Sequence, residues 1–230
     1  MRRNLLIISL LWLIVLSGNA QTKEFRFGFK FGPTFDWASS GSTVTQNRGM
    51  RLGLGAGLVV DHYFTNNIAV SSGLNFNYLR MKYQFTDSRM VENFLQEVQL
   101  PVERRVKANV IEVPIKAKVG FEVLESVRAY VEAGAALGFN LKDEVKDSYE
   151  YYNYSYADET YVDMSDQYRM LQASLLFGLG AEYEINRKFS VFGQVTFNHG
   201  LMNAFPKELE RKTGSILNTN LIGVEVGILF

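Results

Sequence analysis

The chain has 230 residues, with 24 Lys+Arg against 24 Asp+Glu, two His and no Cys. That length suits one domain with a core or a closed barrel, and the balanced charge lacks the broad basic field of a nucleic-acid binder. Absence of Cys excludes disulfides, thiolate metal sites and a cysteine nucleophile, and His62 and His199 are too few for a three-histidine zinc site, so no metal or other cofactor is expected.

The chain opens with Arg2 and Arg3, an apolar run from Leu5 to Leu16 broken by Ser9, and the small residues Gly18 and Ala20. This is the pattern of a secretory signal peptide over residues 1–20, cleaved before Gln21, with residues 21–230 as the mature domain. The apolar run is well short of the ~20 residues a membrane-spanning helix needs.

From there the hydrophobic period is two. Phe25, Phe27, Phe29, Phe31, Phe35 and Trp37 share one parity, against Arg26, Gly28, Lys30, Gly32, Thr34 and Asp36. Strand geometry sends those sets to opposite faces. The pattern returns in Met50–Asp61, in Ile68 to about Phe85, in Ile111–Glu122, in Arg128–Asn140, in Leu171–Tyr183, in Phe189–Phe197 and in Ile222–Phe230. The third segment changes parity after Tyr78, which predicts a bulge. Pro114 removes one ladder hydrogen bond and predicts a weak spot in the fourth strand.

Joins after the second, fourth and sixth strands are short (Asp61–Asn67, Val123–Val127, Ile185–Lys188), and the others are long (Ala38–Gly49, Thr86–Ala108, Lys142–Tyr168, Gly200–Gly214). An even number of antiparallel strands with short turns at one rim and long loops at the other predicts an all-β, eight-stranded antiparallel transmembrane up-and-down β-barrel in the bacterial outer membrane. A soluble barrel would turn the apolar parity inward instead. The polar parity is rich in Gly, as a narrow interior requires. Apolar-parity aromatics ring both ends: Phe25, Phe121, Tyr183, Phe189 and Phe230 at one, Phe35, Trp37, Phe139 and Phe197 at the other. Phe230, last in the sequence and on the lipid-facing parity, reads as a signal to the barrel insertion machinery.

The segments "FRFGFKFGPTFDW" (Phe25–Trp37), "GLGAGLVVDHYFTNNIAVSSGLNF" (Gly53–Phe76) and "IEVPIKAKVGF" (Ile111–Phe121) resemble the PorT-like outer-membrane β-barrel family of Bacteroidota. The resemblance covers nearly all of the mature chain and implies a barrel with no assigned reaction. Some members resemble accessory parts of the type IX secretion machinery, which would make secretion-machinery subunits partners.

Within such a barrel the polar parity supplies Arg26, Lys30, Arg51, Glu112, Lys116, Lys118, Glu132, Glu182 and Glu225, with Glu122 and Arg128. Both signs are present, so a closed charge network that fills the lumen is expected rather than an ion path. Catalysis is disfavoured: there is no GxSxG, HExxH or Walker sequence, and His199 has no Ser two residues away. A lipid-modifying barrel enzyme using His199 is the alternative to a non-enzymatic envelope scaffold or binding partner.

Loop Lys142–Tyr168 holds Tyr149, Tyr151, Tyr152, Tyr154, Tyr156, Tyr161 and Tyr168 among many carboxylates. It reads equally as a protein-binding surface and as a hairpin turning at Ala157–Glu159 with paired tyrosines. Its acids lack EF-hand spacing, so solvated acidity is preferred over calcium binding. Met90, Val91, Phe94, Leu95 and Val98 after Ser88 predict an amphipathic helix in loop Thr86–Ala108. Arg104, Arg105 and Lys107 then fall near the outer rim, where the phosphates of outer-membrane lipid and lipopolysaccharide would attract them.

Overall fold

Period-two alternation over long runs leaves each strand with an apolar face and two edges of unpaired backbone groups, and a ring satisfies both demands in a membrane. The computed structural model describes residues 25–40, 45–91, 96–151, 154–158, 160–186, 188–204, 206 and 216–230. The segment expected to be a signal peptide, residues 1–20, lies outside these residues. Eight long strands form the wall: β1 (Phe25–Ser40), β3 (Arg51–Tyr63), β4 (Ile68–Val91), β5 (Gln96–Leu124), β6 (Val127–Tyr151), β9 (Leu171–Asn186), β10 (Phe189–Gly200) and β11 (Leu217–Leu229). Three short strands, β2 (Thr45–Asn47), β7 (Tyr154–Ala157) and β8 (Val162–Asp163), extend it at the long-loop end.

Each wall strand pairs antiparallel with its neighbours along the chain, and β1 pairs with β11 to close the ring. The seam is tight: the Phe27 N–H donates to the Phe230 carbonyl at 2.9 Å, and the Phe230 N–H returns to Phe27 at 2.8 Å. This is the expected eight-stranded up-and-down barrel, with short turns at one rim and extended hairpins at the other. Among the described residues no helix is long and apolar enough to cross a membrane, and crossing falls to the strands.

Across the membrane band the apolar parity faces out: Phe29, Phe31, Leu54, Ile115, Leu137, Phe177 and Leu179 are all exposed. The polar parity faces in, with Lys30, Glu112, Lys116, Lys118, Glu132, Glu182 and Glu225 buried. Beyond Tyr78 the arrangement inverts. Leu79, Met81, Tyr83 and Phe85 of β4 are buried, while Arg80 between them is exposed. The register of β4 on β5 runs unbroken through this point, from Ile68↔Val119 to Val91↔Gln96. The change after Tyr78 is therefore a change of surroundings and not the expected bulge. Below it the outside is lipid and the inside polar; above it the outside is water and the inside an apolar core.

One further expectation is corrected. Ser88–Val91 pairs with Gln96–Gln99 as strand, so the expected amphipathic helix is absent from those residues; Phe94 and Leu95 lie outside the described residues. The run Gln96–Ala108 alternates Leu100, Val102, Val106 and Ala108 inward, which sheet pairing to β4 and β6 rewards more than a lone helix could. Register shifts occur beside the short turns, at Glu122/Leu124 and Phe189/Ser190, and once at the upper edge of the membrane band, in β6. A register shift opposite Asn109/Val110 inserts Leu141, so Gly138 and Asp143 both turn inward. Opposite Pro114 the β4–β5 ladder is interrupted, with Ser72↔Ile115 and Asn75↔Glu112 paired and Gly73 and Leu74 between them not, so the expected weak spot is present without a change of register. Gly73, on the facing strand, adopts φ 152°, and a Cβ there would stand 2.0 Å from the Leu58 carbonyl oxygen.

Interior glycines lie against the largest interior side chains. A Cβ on Gly180 would be 2.6 Å from the Tyr130 ring and 2.7 Å from the Gly193 carbonyl oxygen. Gly180→Val should therefore cost roughly 1–3 kcal/mol through overpacking, read as a lower urea midpoint of the vesicle-inserted barrel. An unchanged midpoint would mean that the lumen has slack.

Candidate functional site

The lumen is filled in layers. Near the short-turn rim, Lys118 Nζ lies 2.7 Å from Asp61 and also contacts Glu182, whose other oxygen takes Arg26 at 2.8 Å. Lys118 sits 4.2 Å above the Tyr130 ring, and the Tyr130 hydroxyl donates to Gln194 at 2.7 Å. One layer on, Lys30 meets both Glu225 oxygens at 2.9 and 3.0 Å, Gln194 also donates to Glu225, and Lys116 pairs with Glu132 at 2.5 Å. Glu112 accepts from the Asn77 amide at 2.6 Å and the Asn198 amide at 3.1 Å. All eight strands of the wall contribute to these charge-assisted bonds, and each of the ions named has a partner within hydrogen-bond reach.

Arg51 and Glu122, expected in the lumen, are exposed at opposite ends of the barrel. Their parity is inward, but each sits where its strand leaves the ring and water satisfies the charge. Arg128 is half-buried and donates to Asn67 in the short turn at 3.2 Å.

Above the polar layers the interior turns apolar. Ala38, Met81, Tyr83, Phe85, Val102, Val106, Val145, Tyr168 and Leu217 form one buried cluster. Arg104 was expected among the outer-rim cations. It points inward, paired twofold with Asp147 at 2.6 Å and stacked 4.9 Å from the Phe85 ring. Burial alone would lower its pKa, but Asp147 and the two tyrosines raise it, so it stays charged. Tyr168 and Tyr83 share a hydroxyl contact at 3.3 Å, and burial pushes both phenols up.

The Tyr-rich segment divides accordingly. Tyr149 packs against the cluster and stacks on Tyr156 at 4.9 Å, in a hairpin that pairs β6 with β7. The reversal falls between Tyr151 and Tyr154 instead of at Ala157–Glu159. Tyr161 is covered by Lys107, whose Nζ is 3.6 Å from the ring. Tyr156 is exposed, Tyr151 is half-buried, Tyr152 lies outside the described residues, and Tyr168 belongs to the core. Tyr149, Tyr161 and Tyr168 thus help build the tip, and Tyr156 is exposed; Tyr154 pairs opposite Tyr151 in the hairpin, and its side chain lies outside the described residues. Among the described residues no three His, Asp or Glu side chains converge as metal ligands.

The ring also assembles a group that sequence spacing missed. His199 Nδ1 is 2.6 Å from Asn220 Oδ1, and Asn220 Nδ2 donates to Ser39 Oγ at 2.8 Å. The three lie on β10, β11 and β1, beside the Trp37–Phe197 stack. Only the register Trp37↔Asn220↔His199 brings them together. Phe230 faces outward at the other rim, its ring 6.0 Å from Phe29.

Residues 19–206 match the outer membrane protein beta-barrel domain. The chain belongs to that family. The barrel accordingly resides in the bacterial outer membrane. Comparison with curated protein sequences gives no match. Among solved structures the chain is similar to neisserial surface protein A (10% identity, 88% of this chain and 95% of that one, TM-score 0.46). The N-terminal barrel domain of Pseudomonas aeruginosa OprF is also similar (12% identity, 91% and 100% covered, TM-score 0.41). So is Ail, the attachment invasion locus protein of Yersinia pestis (14% identity, 90% and 99% covered, TM-score 0.37).

Two predictions follow the charge layers of this family member. Lys30→Met strands Glu225 in the lumen and should cost about 3–5 kcal/mol. Adding Glu225→Gln removes the stranded charge and should restore much of the loss, as read by urea unfolding in vesicles. The second concerns the tip. Asp143 turns inward just above Leu141, and burial, with Asp163 adding to it, pushes its carboxyl up to about 7. A folded pKa above the unfolded one means that the stability contribution is full below about pH 4 and lost as pH rises through about 7. The thermal midpoint of the wild-type tip should thus fall between pH 5 and pH 8, by calorimetry in detergent, while Asp143→Asn flattens that slope.

Proposed function

We propose that this outer-membrane barrel is a non-enzymatic envelope scaffold, a fixed post whose outer tip engages another component of the cell envelope. The observation that carries the reading is the filled lumen: charge layers occupy the membrane span and the Tyr83–Phe85–Val102 cluster occupies the tip. An eight-strand ring has interior room for side chains and little else. Contact with other molecules is then left to the outer surface and the protruding β4–β5–β6 hairpins. The PorT-like resemblance supplies the sharpest form of this proposal, an accessory of type IX secretion, with secretion-machinery subunits as the partners.

The test is recovery of the tagged protein from native outer membranes in several mild detergents. Stoichiometric envelope subunits should accompany it, and they should be lost when residues 148–158 are replaced by a short turn while the barrel still folds. Emergence of the barrel alone in every detergent overturns the scaffold. In planar bilayers the purified barrel should give no steady conductance, and a sustained open level would assign it to transport.

The His199–Asn220 pair favours one second reading, a barrel enzyme acting on outer-leaflet lipid. Asn220 holds Nδ1 and leaves Nε2 as a base. Ser39, the hydroxyl on the same relay, is bonded to the far side of Asn220 and not to the imidazole. The register sets Leu175 opposite His199. His199→Ala should leave lipid composition unchanged; a change with the fold intact would favour the enzyme.

A further inference from the structure

The outward face of the extended hairpins carries an uneven charge. Register sets Lys82 of β4 opposite Arg105 of β5, and Arg105 opposite Lys146 of β6. One outward step nearer the membrane, Arg80 stands opposite Lys107. Arg48 adds a cation beside the same row: its N–H donates to the Lys82 carbonyl at 3.2 Å and its guanidinium is held by Gln84. Like charges directly opposite one another destabilise a sheet, so folding gives no reason to gather them there. Glu103 is the acid among them, 2.7 Å from Lys82 and 3.4 Å from Arg105. Glu144, opposite Lys107, is bonded to Lys142 at 2.6 Å.

Height decides what this face meets. The outward apolar band ends at Tyr78, Asn109 and Leu141. With ~3.3 Å of rise per residue and strands tilted by about 40°, the Arg80/Lys107 pair stands about 5 Å beyond that level and the Lys82/Arg105/Lys146 row about 10 Å. The headgroup layer is about 5–8 Å deep on each side of a bilayer. Both rows are thus placed in or just above the phosphates of the outer leaflet. The Arg80 N–H donates to the Asp36 carboxylate of β1 at 2.8 Å, past the end of β3. Arg80 and Lys107 cap the rings of Tyr78 and Tyr161. On the other side of the rim, the described upper ends of β1, β10 and β11 carry Trp37, Ser39, His199 and Asn220 and, among the described residues there, no Lys or Arg; Lys207, Arg211 and Lys212 lie outside the described residues.

We propose that Arg80, Lys82, Arg105, Lys107 and Lys146 form a clamp for the phosphates of an outer-leaflet glycolipid of the lipid A class. Cations in a cross-strand row take the place of the divalent ions that otherwise bridge such phosphates, and the arginines add bidentate geometry. The clamp fixes the rotation of the barrel in the membrane by holding β4–β6 against ordered lipid. This inference rests on the membrane position of the barrel and not on the scaffold function.

The test uses the full barrel, folded in detergent, presented with bisphosphorylated lipid A or the same lipid stripped of phosphate, with retained lipid counted by native mass spectrometry. The protein should retain bisphosphorylated lipid A in a salt-sensitive manner. Lys82→Gln/Arg105→Gln/Lys146→Gln should lower retention about tenfold or more, at ~1 kcal/mol for each cation near an anionic surface. Lys188→Gln, at the opposite rim, should not alter it. Heat-modifiable gel migration checks that each variant is folded. Equal retention by the triple variant overturns the clamp, as does equal binding of the phosphate-free lipid. Full displacement by millimolar inorganic phosphate would reassign the site to free anions and overturn the lipid assignment.

Discussion

A ring of eight strands encloses a lumen only about as wide as its own inward side chains, and that narrowness governs the rest of the molecule. Ions there are buried away from the lipid and crowded by their neighbours, and they meet partners from other strands. Lys118 does so between Asp61 and Glu182, and Lys30 between the oxygens of Glu225. Glycine completes the fit: Gly178 and Gly180 leave the space that Glu132 and Tyr130 occupy. Removing one member is costly because its partner remains buried, whereas removing both leaves an ordinary packing problem.

The same strands run on past the membrane, and their inner and outer faces exchange character there. In β5 the alternation is continuous, yet Lys116 and Glu112 face inward lower down while Val106 and Val102 face inward higher up. The adjacent arginines show the rule most clearly. Arg104 turns into the apolar tip and is neutralised by Asp147, while Arg105 turns out beside Lys82 and Lys146. The tip thereby folds like the core of a soluble barrel on top of a membrane one. The β6 bulge at Leu141 re-aims one strand at that boundary and sends Asp143 into the interior.

Closure of β1 on β11 creates chemistry that no linear stretch contains. Ser39, Asn220 and His199 come from three strands and meet on the seam. As a clasp they satisfy three polar groups on an otherwise apolar face, and beside them Trp37 and Phe197 stack at the outer girdle.

Much of the architecture was legible because strand parity is a local property. Phe25–Trp37 or Ile111–Glu122 announces its two faces residue by residue, and short turns against long loops set the direction of the barrel. The charge layer was legible only as a set of inward residues, since sequence separation says nothing of register. That Lys118 would choose Asp61 and Glu182, 57 and 64 residues away, follows from how eight strands are sheared around a ring. The errors have the same origin. Met90–Val98 read as a helix and Tyr78 as a bulge because an inverted environment leaves the same mark on a sequence as an inverted strand. Arg51 and Glu122 obey the inward parity but sit where the ring ends. The sequence by itself determined the fold class, the two faces and the residues available to fill a lumen, because those depend on neighbours along the chain. The tertiary structure alone decided which charges pair, where membrane gives way to water, and which cations share one outward row, because those depend on neighbours around the ring.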